Sequence, residues 1–290
     1  MKVADAYGPG RVGLSFELFP PKSEASEDEL FRHLEELMSF EPSYVTCTYG
    51  AGGSTRQKTL DVVERVRLRY GCPVASHLTC VGSTADELRA YLREAHDRGI
   101  QNIVALRGDP PKGETAFRPV AGGLCYACEL VELIHREFPQ FGVAVAGYPE
   151  THREASSPAA DLDFLKRKVD AGADVVITQL FYNNADFFRF RELCDKAGIR
   201  VPIVPGVLPV TNLAQIRRIT SLCGARLPEG FIAALEAHEA SVDEQFEVGV
   251  EFATEQVQGL LDADVPGVHF YVLNKSPATA RVLRTVARPA

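Results

Sequence analysis

The fold is decided between residues 143 and 178, where VAVAG (143–147) is followed by ADLDFLKRKVDAG (160–172) and then VVIT (175–178). The two apolar runs are short and rich in Val and Ile, which predicts strands over Val143–Gly147 and Val175–Thr178. Between them the apolar residues fall at helical spacing, which predicts a helix over Ala160–Ala171, closed by Gly172. Neither strand alternates with polar residues. A strand that is apolar on both faces belongs to a parallel sheet covered by helices.

The same unit recurs on both sides. Upstream, strands are predicted over Leu14–Phe19, Tyr44–Thr48, Val74–Thr79 and Asn102–Leu106. Their helices fall over Glu27–Phe40, Gln57–Arg69, a segment that Thr84 can cap, and Tyr126–Phe138. Downstream come a helix over Ala185–Ala197, a strand over Val201–Gly206, helical material over Leu213–Leu222 and a last strand over Gly267–Val272. A closing helix covers Ala278–Ala287, and an extra helical insertion occupies Pro228–Ala263. About eight strand–helix units in a chain of this size predict a closed (β/α)8 TIM barrel, read as one catalytic domain over residues 1–290. A doubly wound open sheet is the alternative, but no G-x-G-x-x-G follows the first strand.

Composition narrows the class. The chain has 290 residues, 46% of them hydrophobic, and a net charge of −8. No apolar stretch nears the roughly 20 residues of a membrane span, and the first residues lack an apolar signal core. A cytoplasmic protein with no membrane partner is expected. Lys and Arg form no long basic tract, which argues against nucleic acid. The seven Cys are scattered, and Cys125-Tyr-Ala-Cys128 stands alone, so two half-buried thiols on a helix are expected there and no metal.

In a barrel the chemistry lies at the C-terminal strand ends. The residues that close the strands are Glu17, Thr48, His77, Arg107-Gly108-Asp109, Tyr148-Pro149-Glu150 with His152, Gln179 and Asn274-Lys275. Glu17 sits within Phe16-Glu17-Leu18-Phe19. Burial among such neighbours is expected to raise its pKa and suit it to general acid catalysis, unless it is one half of a structural ion pair. Asp109 is either a ligand-facing carboxylate or a turn residue bonding its own backbone. Gln179 is expected to be a buried amide able to face a heterocycle. Of Lys166, Arg167 and Lys168, at most two can point towards the mouth. The loop from Pro110 to Gly123 is a candidate lid or cofactor wall.

These segments resemble bacterial-type methylenetetrahydrofolate reductase. The matching stretches are SFELFPP (15–21), TYGA (48–51), HLT (77–79), ALRGD (105–109), YPE (148–150) with His152 and Glu154, LKRKVDAG (165–172), ITQ (177–179), PGVLP (205–209) and FYVLN (270–274). They run in order along nearly the whole chain, and no further regulatory domain is expected. The resemblance implies non-covalently bound FAD, reduced by NADH or NADPH, and a folate substrate turned over by ping-pong hydride transfer. By motif position Glu17 would be the general acid and Asp109 would hold the pterin and tune the flavin. Gln179 and Lys275 would contact the folate.

The flavin would lie along Thr48, His77, Leu106, Arg107, Gly108, Tyr126, Ala127 and Tyr148. Its adenosine and phosphate end would reach His152, Ala155, Asp161, Arg167 and Lys168. A homo-oligomer, dimer or tetramer, is implied too. Three positions depart from the family pattern. Lys275 stands where some members have Arg and so lacks the planar fork. Phe164 replaces a residue that can be polar and is given no flavin contact. Ile219 stands where an aromatic clamp can occur. Two other readings were weighed: a Schiff-base aldolase, for which only Lys275 lies at a strand end, and a non-catalytic flavin or folate carrier.

Overall fold

The computed structural model describes residues 1–8, 10–49, 56–110, 113–114 and 116–287. Gly50 and Ala51 of the TYGA stretch, Pro111 and part of the 110–123 loop lie outside them. Nine strands run in parallel: β1 Gly13–Leu18, β2 Tyr44–Cys47, β3 Val74–Thr79, β4 Asn102–Leu106, β5 Gly142–Gly147, β6 Val175–Thr178, β7 Ile203–Val204, β8 Gly206–Val207 and β9 Gly267–Tyr271. Their order is β7-β6-β5-β4-β3-β2-β1-β9-β8. The two ends of that order, β7 and β8, are halves of one stave broken at Pro205. The lower half pairs with β6 and the upper half with β9, so the sheet closes into the expected barrel of eight staves.

Proline explains the break, because it has no N–H to give to a ladder. Its carbonyl still accepts from His269 N at 2.9 Å. The next donor, Gly206 N, turns to Thr178 Oγ1 at 2.9 Å. A side chain on Gly206 would not fit, since a Cβ there would lie 2.2 Å from Thr178 O and 2.6 Å from Tyr271 Cε2.

The helices are α1 Glu24–Met38, α2 Arg56–Tyr70, α3 Ala85–Asp97, α4 Ala127–Glu137, α5 Pro158–Asp170, α6 Asn184–Lys196, α7 Leu213–Cys223, α8 Glu229–Ala237, α9 Val242–Leu261 and α10 Pro277–Thr285. The expected insertion is α8 with α9. Thr84 caps α3 through a reciprocal pair with Glu87, Thr84 N donating to Glu87 Oε2 at 2.8 Å and Glu87 N to Thr84 Oγ1 at 3.2 Å. Helix α5 starts on Ser157 and Pro158 and stops at Gly172, whose φ of +114° suits glycine.

Strand alternation sorts the side chains into two cores. Phe16, Leu18, Val176 and Phe270 face outward and pack with Leu30, Leu34, Leu60 and Leu88 of the helices. Each such fully buried side chain contributes roughly 1.5–3 kcal/mol relative to exposure. Inside the barrel, Tyr44, Ala75, Val104, Ala144, Val175, Ile177 and Val204 form a separate cluster, floored by Val3, Ala6 and Tyr7 of the N-terminal turn. Above this apolar plug the inward positions turn polar.

Candidate active site

Register places Glu17 beside Thr46 and Tyr271, and Ser15 beside His269. Glu17 is therefore directed into the barrel, away from Phe16 and Leu18, which are its neighbours in sequence only. Its Oε2 lies 3.3 Å from His77 Nε2 and 3.6 Å from His269 Nε2. All three are buried, Glu17 at 8%, His77 at 7% and His269 at 0% exposure.

The expectation of a raised Glu17 pKa is corrected. Burial, the largest influence, pushes it up, but charge and hydrogen bonds from His77 and His269 outweigh it and hold the carboxyl down to about 2. Sequence neighbours suggested a hydrophobic pocket; the barrel supplies two imidazoles instead. Beside this cluster the hydroxyls of Thr46 and Thr79 are buried without hydrogen-bond partners among the described residues. Such orphans at a barrel mouth suit a ligand that has polar atoms to offer.

Across the mouth, β4, β5 and α5 build a cationic wall. Gly108 has φ +91°, and a Cβ there would meet Val81 Cγ1 at 2.7 Å, so only glycine lets the chain turn tightly after β4. Arg107 makes a two-pronged pair with Glu154, at 2.6 and 2.9 Å. The same guanidinium lies 5.1 Å from the centre of the Phe117 ring, which belongs to the long loop read as a wall. Of the three basic residues on α5, only Lys168 turns inward. Arg167 pairs with Asp163 and Lys166 with Asp170. Lys168 Nζ donates to Ala146 O of β5 and lies 5.8 Å from the Tyr148 ring centre. Burial pushes its pKa down to about 8, with Asp161 and Cys128 pulling back. Arg167 is exposed but stays beside Phe164, 5.5 Å from its ring.

The remaining expected residues fall around this wall. Tyr148 and His152 meet edge to face, with ring centres 4.6 Å apart. Burial lowers the His152 pKa, and its backbone N donates to Asp161 Oδ2 at 2.8 Å. Ala155 N donates to His152 O at 2.9 Å and closes that turn. Tyr126 caps α4 just before Ala127, and its exposed ring stacks on Phe164 at 6.1 Å. Phe164 therefore belongs to the wall, although its departure from the family pattern gave it no role. Leu106 and Thr48 lie half-buried at their strand ends.

One residue stands differently from expectation, and two decide between alternatives. Gln179 is only half-buried, and its Oε1 accepts from Leu180 N at 2.9 Å, so part of its amide is already spent. Asp109 is exposed and accepts no hydrogen bond among the described residues, so the self-bonded turn is not formed with them. Lys275 is exposed, which denies it the desolvation a Schiff-base lysine needs. Cys125 and Cys128 are half-buried at the start of α4, as read.

One residue was missed, and another was named at a strand end without a role. His269 could have been found in GVHFY, where it shares the inward parity of Tyr271. Asn274 holds both groups of Phe19, accepting from its N at 2.8 Å and donating to its O at 2.9 Å. It does so from a left-handed φ of 59°, next to Leu273 at 48°, backbone strain of the kind that gathers at functional sites. This clamp ties the end of β9 to the end of β1.

Fold and site together define a (β/α)8 barrel with an acid cluster on one side of its mouth and an anion-seeking wall on the other. Solved structures share the architecture. An uncharacterized Clostridium thermocellum protein, described as binding two copies of 5-methyl-5,6,7,8-tetrahydrofolic acid, matches with a TM-score of 0.61 at 16% identity over 93% of each chain. Oxaloacetate acetylhydrolase matches at 0.55 with 10% identity, over 98% of this chain and 83% of that one. At these identities the likeness is of fold alone.

Sequence goes further. The methylenetetrahydrofolate reductase family matches residues 2–287. The chain is 39% identical to 5,10-methylenetetrahydrofolate reductase of Salmonella typhimurium, over 96% of this chain and 91% of that one. It is 37% identical to methylenetetrahydrofolate reductase (NADH) 1 of Zea mays, over 97% of this chain but 49% of that one. It thus spans about half the length of the plant relatives it matches. The chain belongs to the methylenetetrahydrofolate reductase family.

Proposed function

We propose that this chain is an FAD-dependent reductase that converts 5,10-methylenetetrahydrofolate to 5-methyltetrahydrofolate, drawing hydride from NADH or NADPH. It would act in the cytoplasm, as a homo-oligomer. The observation that carries this reading is the buried Glu17 carboxylate bracketed by His77 and His269 at the barrel mouth, in a chain of this family.

The residues present fit FAD. Lys168 is a half-buried ammonium that forms no ion pair within 4 Å among the described residues and is driven towards neutrality by burial; an anionic phosphate there would stabilise its charge. Asp161, Ala155, His152 and Arg167 would complete the surroundings of that phosphate. Tyr126 and Phe164 offer an exposed aromatic stack for a flat ring system. Thr48, His77, Leu106, Arg107, Gly108, Ala127 and Tyr148 would line the flavin. When bound, FAD would accept hydride from the nicotinamide and deliver it to the folate in ping-pong order.

The protein's own part is protonation and placement. Glu17, recharged with a proton at Oε2, would give it to the folate amine as the five-membered ring opens to an iminium. Because the carboxyl is ionised near neutrality, it must borrow that proton, and the adjoining His77 imidazole is the group placed to supply it. Asp109, exposed at the rim, would accept from the pterin, while Gln179 and Lys275 would contact the rest of the folate.

The test is a visible spectrum of the purified protein, followed under anaerobic conditions by NADH and then methylenetetrahydrofolate. A yellow protein that bleaches with NADH and regains colour with folate is expected. A protein that takes up no FAD would sink the reading.

A further inference from the structure

Beneath Glu17 the barrel interior holds a line of polar side chains without a task so far. Tyr7 and Tyr44 meet hydroxyl to hydroxyl at 2.6 Å. The Ser15 side chain also interacts with both phenols. The same Ser15 Oγ lies 2.8 Å from His269 Nδ1, and His269 Nε2 in turn faces Glu17 Oε2. Tyr7, Tyr44, Ser15 and His269 are all buried. A polar column through an apolar core is costly unless its members satisfy one another.

The chemistry of the members gives the column a direction. A neutral phenol or hydroxyl can donate or accept, but the ionised Glu17 carboxylate only accepts, so the His269 nitrogen facing it must carry the proton. A phenol donating to the Ser15 oxygen leaves the Ser15 O–H to point at His269 Nδ1. A neutral imidazole that accepts at Nδ1 carries its proton on Nε2, the nitrogen that faces Glu17. Every donor then points up the barrel towards the carboxylate.

We infer that His269, its tautomer fixed by Ser15 on the Tyr44–Tyr7 pair, is a positioning residue that sets the proton affinity of Glu17 from inside the barrel. This rests on reading Glu17 as the general acid. As Glu17 gives up its proton, the negative charge forms against a donor already in place. No net proton moves along the column. The other titratable groups around Glu17 are His77 from β3, Cys47 from β2 and Tyr271 from β9. Of these, His77 alone shares the work of holding the carboxylate, and it does so from the side opposite the column.

Ser15→Ala and Tyr44→Phe each delete one hydroxyl and leave the strands intact. The titration of the Glu17 carboxyl is followed by infrared difference spectroscopy on the cofactor-free protein, with Glu17→Gln assigning the band. The two half-reactions are followed separately by stopped flow across pH. Ser15→Ala frees the imidazole to turn its bare nitrogen to Glu17 and is expected to raise the carboxyl midpoint by about one pH unit. The folate half-reaction should follow that shift, and reduction by NADH should not. Tyr44→Phe should move the midpoint in the same direction by less.

An unmoved midpoint in Ser15→Ala overturns the inference, as does an equal loss in both half-reactions with no pH shift. If Glu17→Gln itself leaves the folate half-reaction intact, the acid reading fails. If Glu17→Gln stops it while Ser15→Ala leaves the titration in place, the column alone fails.

Discussion

Two charged groups, buried Glu17 and half-buried Lys168, are treated by the fold in opposite ways. Glu17, on β1, is met by two imidazoles that outweigh the cost of burial and hold it ionised. Lys168, on α5, is met by a carbonyl and a ring face, and burial drives it towards its neutral form. A charge balanced by the protein is part of the machinery as built. A charge left unbalanced marks the place where a ligand must complete the site.

The comparison breaks most visibly at Glu17. Glu17→Gln should slow the folate half-reaction by roughly 10²–10⁴-fold and leave reduction by NADH unchanged in stopped-flow traces. An undiminished rate would make the bracketed carboxylate a structural ion pair. On the other side, Lys168→Met should weaken FAD binding by roughly 10- to 100-fold, read by fluorescence titration. The cofactor-free variant should melt no lower than the wild type, because a half-buried unpaired charge has been removed. Unchanged affinity would mean that Lys168 awaits nothing.

Smaller effects sharpen the contrast through pH. An anion beside Lys168 raises its pKa from about 8. FAD binding between pH 8 and 10 should therefore take up as much as about one proton, and near pH 6 almost none. Calorimetry in buffers of different ionisation enthalpy measures this. For Glu17 the sign is reversed. Its folded pKa is lowered from 4.5 to about 2, so its contribution to stability is complete above pH 4.5. As pH falls towards 2 the unfolded chain binds the proton first and that contribution is lost. Acid unfolding of Glu17→Gln should lack this part of the decline.

Much of this was legible in the sequence. The strands Val74–Thr79, Asn102–Leu106 and Val175–Thr178 fall where they were expected, because an apolar run bounded by turn residues leaves little choice of register. Thr84 announced a helix start, and its reciprocal bond with Glu87 came with the structure. The break at Pro205 was not legible, since VPIVPGV reads as one apolar run and only the closed barrel shows the change of partner. In the site, strand-end positions gave Glu17 and His77, and the basic run of helix α5 offered Lys168. The direction of Glu17's pKa was misread because neighbours along a strand point to opposite faces. The residues that decide it lie far along the chain: His269 is 254 positions from its partner Ser15. Its role depends on a register that no local pattern encodes.

That separation bears on how the chain is made. β1, β2 and β3 are complete once residue 79 has been synthesised, and with them Glu17 and His77 are in hand. His269 comes from β9, the stave that closes the hoop against β1. A growing chain still on the ribosome thus carries the acid with one of its two imidazoles, and the second arrives only with closure. The bracketed carboxylate is a product of the last long-range pairing, so on the proposed reading an unfinished barrel lacks its completed acid.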